Sequence, residues 1–181
     1  MKTKFITFLA AFLLLISCSS GKTFQSFFNN HKKDIGVTAF QVPNFMRALL
    51  TNISPEINNL FGNVKDFKFI TFNNISKQKQ NLLINEMNLV TDNNFTDMLR
   101  SNQPEKTKIV SVKEDGDVVT QAIIFNSTLA KTSVFYLKGR FDPNQIKKLS
   151  DENQFENLSN KLIQNYKISP STKSTPGFNP N

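Results

Sequence analysis

The stretch from Lys108 to Arg140, KIVSVKEDGDVVTQAIIFNSTLAKTSVFYLKGR, decides the fold. It holds three apolar runs separated by turn signals. Lys108 to Lys113 carries Ile109, Val110 and Val112. Val118 to Phe125 (VVTQAIIF) follows, and Thr132 to Arg140 (TSVFYLKGR) is the third. Runs of this length, rich in β-branched and aromatic residues, predict strands. Asp115-Gly116 predicts a tight hairpin of type I′, which needs positive φ at both central residues. Asn126 to Lys131 reads as a looser turn. Three consecutive strands joined by hairpins pair antiparallel.

On the C-terminal side, Asp142-Pro143-Asn144-Gln145 reads as an N-cap, Pro at the first helical position and Gln at the third. The helix it starts runs to about Leu149. Phe155 to Tyr166, with Leu158, Leu162 and Ile163, predicts a last helix. Ile168 to Asn181 (ISPSTKSTPGFNPN) lacks periodicity and is rich in Pro, Ser and Thr, so 168–181 is expected to be a disordered tail.

On the N-terminal side, Ile35 to Val42 (IGVTAFQV) is the first strand expected. Asn44 to Thr51 and a piece from Ser54-Pro55-Glu56 to Phe61-Gly62 read as short helices. Val64 to Phe72 (VKDFKFITF) alternates as a central strand, with Phe67, Phe69 and Phe72 on the expected buried side. Ser76 caps a helix from Lys77 to about Val90. A further short helix is expected from Thr91 or Asp92, with Phe95, Met98 and Leu99 on one side. The order β-α-β-α-β-β-β-α defines an α+β fold. A two-layer sandwich is expected, with a mixed, mostly antiparallel sheet and helices on one face. A ferredoxin-like variant is one wiring.

The first residues have a different character. Lys2 and Lys4 precede an apolar run, Phe5 to Ile16 (FITFLAAFLLLI), too short and wrongly flanked for a membrane-spanning helix. Leu15-Ile16-Ser17-Cys18 then resembles the lipobox of bacterial lipoproteins, with Leu at −3, a small residue at −1 and Cys at +1. Residues 1–17 are therefore expected to be a signal peptide, recognised by its peptidase through Leu15, Ile16 and Ser17. Cys18 is expected to carry a diacylglycerol and palmitate-type acyl chains. Each buried methylene contributes about 0.8 kcal/mol, so two or three chains hold where one is marginal. Ser19, where Asp would favour inner-membrane retention, points to the outer membrane. Ser20-Gly21-Lys22 lacks an acidic export cluster, so the expected location is the cell envelope, facing the periplasm. Residues 18–33 read as the lipidated N-terminus and a tether, in which Phe24, Phe27 and Phe28, at helical spacing, are expected to start a short helix that docks on the domain, the alternative being contact with lipid. Residues 34–167 read as one domain.

Composition narrows the function. The chain carries 22 basic and 14 acidic residues for a formal charge of +8, which falls to +6 once Lys2 and Lys4 leave. The basic residues are scattered, and the richness in Asn, Lys, Ile and Phe fits AT-rich codons, so no nucleic-acid partner is expected. Cys18 is the single cysteine, which excludes an internal disulfide and cysteine-bound zinc. His31, the single histidine, falls in the tether beside Lys32 and Lys33 and reads as solvated. Glu114, Asp115 and Asp117 cluster without EF-hand spacing and read as a solvated turn. No Gly-rich phosphate loop is present. Phe67, Phe69 and Phe72 could mimic an RNA-binding sheet but read better as core. No metal or cofactor is expected.

The lipobox, the early GVTAFQV strand (36–42), the EDG hairpin (114–116) and the segment YLKGRFDPNQIKKL (136–149) resemble the domain-of-unknown-function family 4252 of small lipoproteins from Bacteroidota. The resemblance covers residues 30 to 165. In that family a strand ending in Gly and an acidic residue leads into the last helix. Gly139 and Asp142 stand there, with Arg140 in the usual acidic place. The resemblance implies location and fold and transfers no active site. Three functions compete. The first is a non-catalytic envelope module binding a protein partner, in keeping with the expectation that the chain is no enzyme. The second is a small hydrophobic-ligand or lipid-binding domain whose Phe residues line a pocket. The third is an enzyme of unknown class, for which Arg140 and Asp142 are the pair to inspect.

Overall fold

A computed structural model describes residues 21–42 and 63–165. The signal sequence, the lipobox with Cys18, the helices expected over 44–51 and 54–61, Tyr166 and the 168–181 tail lie outside the described residues. The elements run α1 (Phe24–His31), β1 (Val37–Val42), β2 (Val64–Asn73), α2 (Lys77–Thr91), β3 (Thr96–Asn102), β4 (Thr107–Asp115), β5 (Val118–Ser127), β6 (Lys131–Phe141), α3 (Pro143–Ser150) and α4 (Glu152–Asn165). The strands form one sheet in the order β1-β2-β6-β5-β4-β3. Every pairing is antiparallel. The α+β class and the β4-β5-β6 meander match the sequence reading. The sheet is antiparallel throughout rather than mixed, and its order is not a ferredoxin-like one.

The helices cover both faces of the sheet, which makes three layers rather than the two expected. Alternation along the central strands shows why. On β5, Ala122 and Ile124 join one apolar cluster while Ile123 and Phe125 join the other. On β6, Phe135 and Leu137 oppose Val134 in the same way. A strand apolar at both parities must be buried on both sides. One cluster packs Phe67, Phe69 and Phe135 against Ile146, Leu149, Phe155, Leu158 and Leu162 of α3 and α4. The other packs Ile70, Phe72 and Phe125 against Phe24, Phe27 and Phe28 of α1 and Leu83, Met87 and Val90 of α2. Phe72 thus faces away from Phe67 and Phe69, as strict period-2 spacing requires. Val64 joins the Phe67 face because the register shifts between Val64 and Asp66.

The caps follow the sequence closely. Asn144 N donates to Asp142 Oδ1 at 2.7 Å, and Asp142 N donates to Gln145 Oε1 at 3.1 Å. Ser76 caps α2 through Lys79 N at 3.2 Å. Leu83, Met87 and Val90 form the buried stripe of α2, whereas Leu82 and Leu89 are exposed. The β4–β5 hairpin places Gly116 and Asp117 in its loop, one residue later than expected. Gly116 has φ 59° and Asp117 does not share it, which is the II′ pattern rather than I′.

One expected helix is a strand instead. The helix expected around Phe95, Met98 and Leu99 is strand β3. Asn94, at φ 61°, turns the chain out of α2, and the next residues pair with β4 from Thr96↔Val112 to Asn102↔Thr107. Tertiary pairing overrides the weak strand propensity of TDMLRSN. The short docking helix expected at Phe24, Phe27 and Phe28 is present. Phe24–His31 is a helix packed on the domain, with Phe24, Phe27, Phe28 and His31 buried at i, i+3, i+4, i+7. It starts in a capping box: Ser26 N donates to Thr23 Oγ1 at 3.1 Å, and Thr23 N donates to Ser26 Oγ at 3.2 Å. An apolar face this complete is buried rather than left in water.

Candidate functional site

His31 is buried, not solvated as its lysine neighbours suggested. Its ring lies against Phe27 and Phe72, with centroids 4.9 and 5.6 Å away. Nδ1 is 2.9 Å from Asp34 Oδ2 and Nε2 is 2.6 Å from Glu86 Oε2. Only a ring protonated at both nitrogens donates to both carboxylates. Lys22 Nζ also donates to Glu86, at 2.7 Å, and Lys79 Nζ donates to Asp34 at 3.1 Å. Lys79 Nζ also lies 3.4 Å from Nδ1. The network clamps α1 to α2. Burial alone would raise the Asp34 carboxyl. Hydrogen bonds from His31 and Lys79 outweigh it and hold the group below its ordinary value. Glu86 follows the same balance through Lys22 and His31.

The sign of the pH effect follows. A carboxylate depressed by folding stabilises the fold fully above its unfolded value, and the gain is lost as pH falls through the folded one. The ordinary values are 3.8 for Asp34 and 4.5 for Glu86. Hydrogen exchange of the α1 amides, taken relative to the intrinsic rate at each pH, is therefore expected to be slow at pH 6 and to accelerate as pH falls below those values. It should accelerate ahead of the β5 and β6 amides. Uniform acceleration of all three elements would show that the clamp does not hold α1 separately.

At the other end of the same sheet face the helices leave an opening. A groove of about 200 Å³ lies between the first turn of α1, the end of α2 and the sheet. The register aligns its floor. Lys68 pairs with Tyr136 and Asp66 with Lys138 across β2 and β6. Gln121 pairs with Lys138 on one side and Lys113 on the other. Lys68 is buried at 3% exposure, ion-paired with Asp66, and its ammonium lies 5.1 Å from the Tyr136 ring centre. Gln41 Nε2 donates to Asp66 Oδ1 at 3.2 Å. Tyr136 stacks on Phe24 at 4.8 Å and donates its hydroxyl to Gln121 Oε1 at 3.1 Å. Burial and then the Asp66 carboxylate push the Tyr136 phenol up to about 12, so it is uncharged at ordinary pH. Lys113 Nζ lies 4.6 Å over the Phe95 ring. A second depression, about 220 Å³, is lined by Asp34, Ile75 and Lys79, and its one lysine is already paired with Asp34.

Arg140 and Asp142 do not form a reactive pair. Both are exposed, Asp142 caps α3, and the Arg140 amide donates to Asn63 O at 3.3 Å. Glu114, Asp115 and Asp117 are exposed around the hairpin. Among the described residues no group of three or more His, Cys, Asp or Glu could hold a metal ion. Phe67, Phe69 and Phe72 are core, and none offers a ring for a base to stack on. The lipobox residues Leu15, Ile16, Ser17 and Cys18 lie outside the described residues. The sequence reading missed the groove. Its signal was polar or charged residues at one parity of four strands, which aligns only once strand order is known.

Fold and site together define a small α+β domain with a polar groove at the root of its N-terminal helix. The chain belongs to the family described as a domain of unknown function (DUF4252), which it matches over residues 28–149. The match begins inside α1 and ends in α3, so it takes in the whole sheet. No curated protein and no solved structure matches the chain.

Proposed function

We propose that the chain is a lipid-anchored, non-catalytic binding module of the cell envelope, held at a membrane through Cys18 and presenting the groove at the foot of α1 as its binding surface. The observation that carries this reading is the position of α1. The capped helix begins at Phe24, six residues after the lipobox cysteine, and packs into the core. A chain that leaves so short a link between a lipidation signal and a rigid body is built to hold that body close to the bilayer. Among the described residues no helix is long and apolar enough to cross a membrane, so attachment rests on the acyl chains. Outer-membrane placement, facing the periplasm, rests on Ser19 and the lack of an acidic cluster after it.

The hydrophobic-ligand alternative draws less support. Phe67, Phe69, Phe72, Phe125, Phe135, Phe141 and Phe155 fill the two cores rather than line a cavity. The groove that is open has lysine, glutamine and tyrosine on its floor.

Labelling cells with a fatty-acid analogue tests the anchor. Wild-type chain is expected to take the label and to sediment with the envelope membranes. Cys18→Ala is expected to lose the label. Equal labelling of both would refute the reading.

A further inference from the structure

We infer that the groove between α1 and the sheet binds the phosphate of an anionic lipid headgroup in the membrane that carries the anchor. The inference rests on the anchored reading above and adds the ligand. Three observations meet here. The first is charge. Lys68 is neutralised by Asp66, but Lys113 and Lys138 form no ion pair among the described residues. By contrast, Lys106 and Lys131 are each matched with a glutamate of α4, at 2.7 and 2.8 Å. The groove therefore keeps an excess of two positive charges. The uncharged Tyr136 does not oppose an anion, and Gln121, whose oxygen is taken by Tyr136, offers its amide N–H groups.

The second observation is place. Thr23, Phe24 and Gln25 form the wall of the groove. Cys18 is five residues before Thr23, a reach of about 18 Å at full extension. Lys22 is held to Glu86 at 2.7 Å, so the chain enters the domain at a fixed point beside the opening. Acyl chains on Cys18 would bring the groove to headgroup level. The third is size. About 200 Å³ is below the range for drug-sized ligands and suits a phosphate with a few further atoms. A lysine near an anionic leaflet contributes about a five-fold gain in binding, and two about thirty-fold.

Titration of the mature protein with water-soluble short-chain phospholipids tests this directly, read by calorimetry and by amide shifts at Lys113 and Lys138. Dihexanoyl-phosphatidylglycerol is expected to bind, shifting those amides, and about ten-fold or more tighter than dihexanoyl-phosphatidylcholine. Lys113→Ala with Lys138→Ala is expected to remove that preference, while Lys147→Ala with Lys148→Ala, on α3 at the opposite face, leaves it intact. Inorganic phosphate binding as tightly as phosphatidylglycerol would mark a site for free phosphate and overturn the headgroup assignment. Equal affinity for both lipids, or binding to neither, would overturn the anion site itself. The mass of the N-terminal peptide, measured on the same sample, reports the anchor separately. An unmodified Cys18 removes the anchored reading whatever the titration shows.

Discussion

Phe135→Ala is expected to destabilise the domain by about 4 kcal/mol, within the range for emptying a fully buried phenyl site. Phe135 sits on β6 between β2 and β5, near the middle of the sheet, and is 0% exposed. Its ring centre lies 5.6 Å from Phe67, 5.2 Å from Phe69 and 4.3 Å from Phe155. Two of those rings stand on the neighbouring strand and the third comes from α4. The side chain is thus where the sheet and the C-terminal helix layer meet, and strands on both sides of β6 limit how far the backbone can collapse into the space. Small domains are stable by about 5–15 kcal/mol, so the variant loses a large part of the total. Urea unfolding followed by circular dichroism measures it. Leu82→Ala, at a half-exposed position on α2, supplies the contrast and should move stability by less than about 0.5 kcal/mol. Similar midpoints for the two variants would show that the core is not organised around this aromatic group.

Gly139→Ala is expected to cost about 3 kcal/mol through overpacking. The reason is space rather than backbone angle. A Cβ on Gly139 would lie 2.1 Å from the carbonyl oxygen of Asn63 and 2.7 Å from Cζ of Phe141. The Phe141 ring can turn aside, but the Asn63 carbonyl cannot. It accepts from the Arg140 amide at 3.3 Å and leads directly into β2, where Val64 pairs with Gly139. Relief therefore requires the start of β2 to move off β6. In a domain of this size the loss corresponds to a melting temperature lower by about 10 °C. Gly116→Ala makes the opposite case. No atom lies within 4 Å of its added Cβ, so only the φ of 59° is penalised, at about 1–2 kcal/mol. A thermal melt in which Gly116→Ala is clearly worse than Gly139→Ala would contradict the close approach at Asn63.

Much of this architecture was legible before any coordinates. The meander over 108–140, the cap at Asp142 and the helix beginning after Ser76 each rest on local chemistry, and each is found where the residues place it. The second helix layer was missed, helices being expected on one face only, although it was legible in the unbroken apolar runs AIIF (122–125) and VFYL (134–137), which demand cover on both faces. Strand β3 was not. Thr96–Asn102 contains Asp97, Arg100, Ser101 and Asn102, and what makes it a strand is long-range. It pairs with β4, and Asp97 is held by Arg100 and Ser111 at 2.5 Å each. His31 was misread for the same reason. Its partner Glu86 is distant in sequence, on a helix whose packing brings the two together. The groove is the extreme case, because Lys68, Lys113, Gln121 and Tyr136 come from four strands.

Intact-mass and peptide mass spectrometry of the native protein bears most directly on the account as a whole. The first residue is expected to be Cys18, carrying a thioether-linked diacylglycerol, with residues 1–17 gone. A chain that still begins at Met1, or one whose Cys18 thiol is free, would contradict the membrane-held module, and with it the reason for placing the groove at a bilayer.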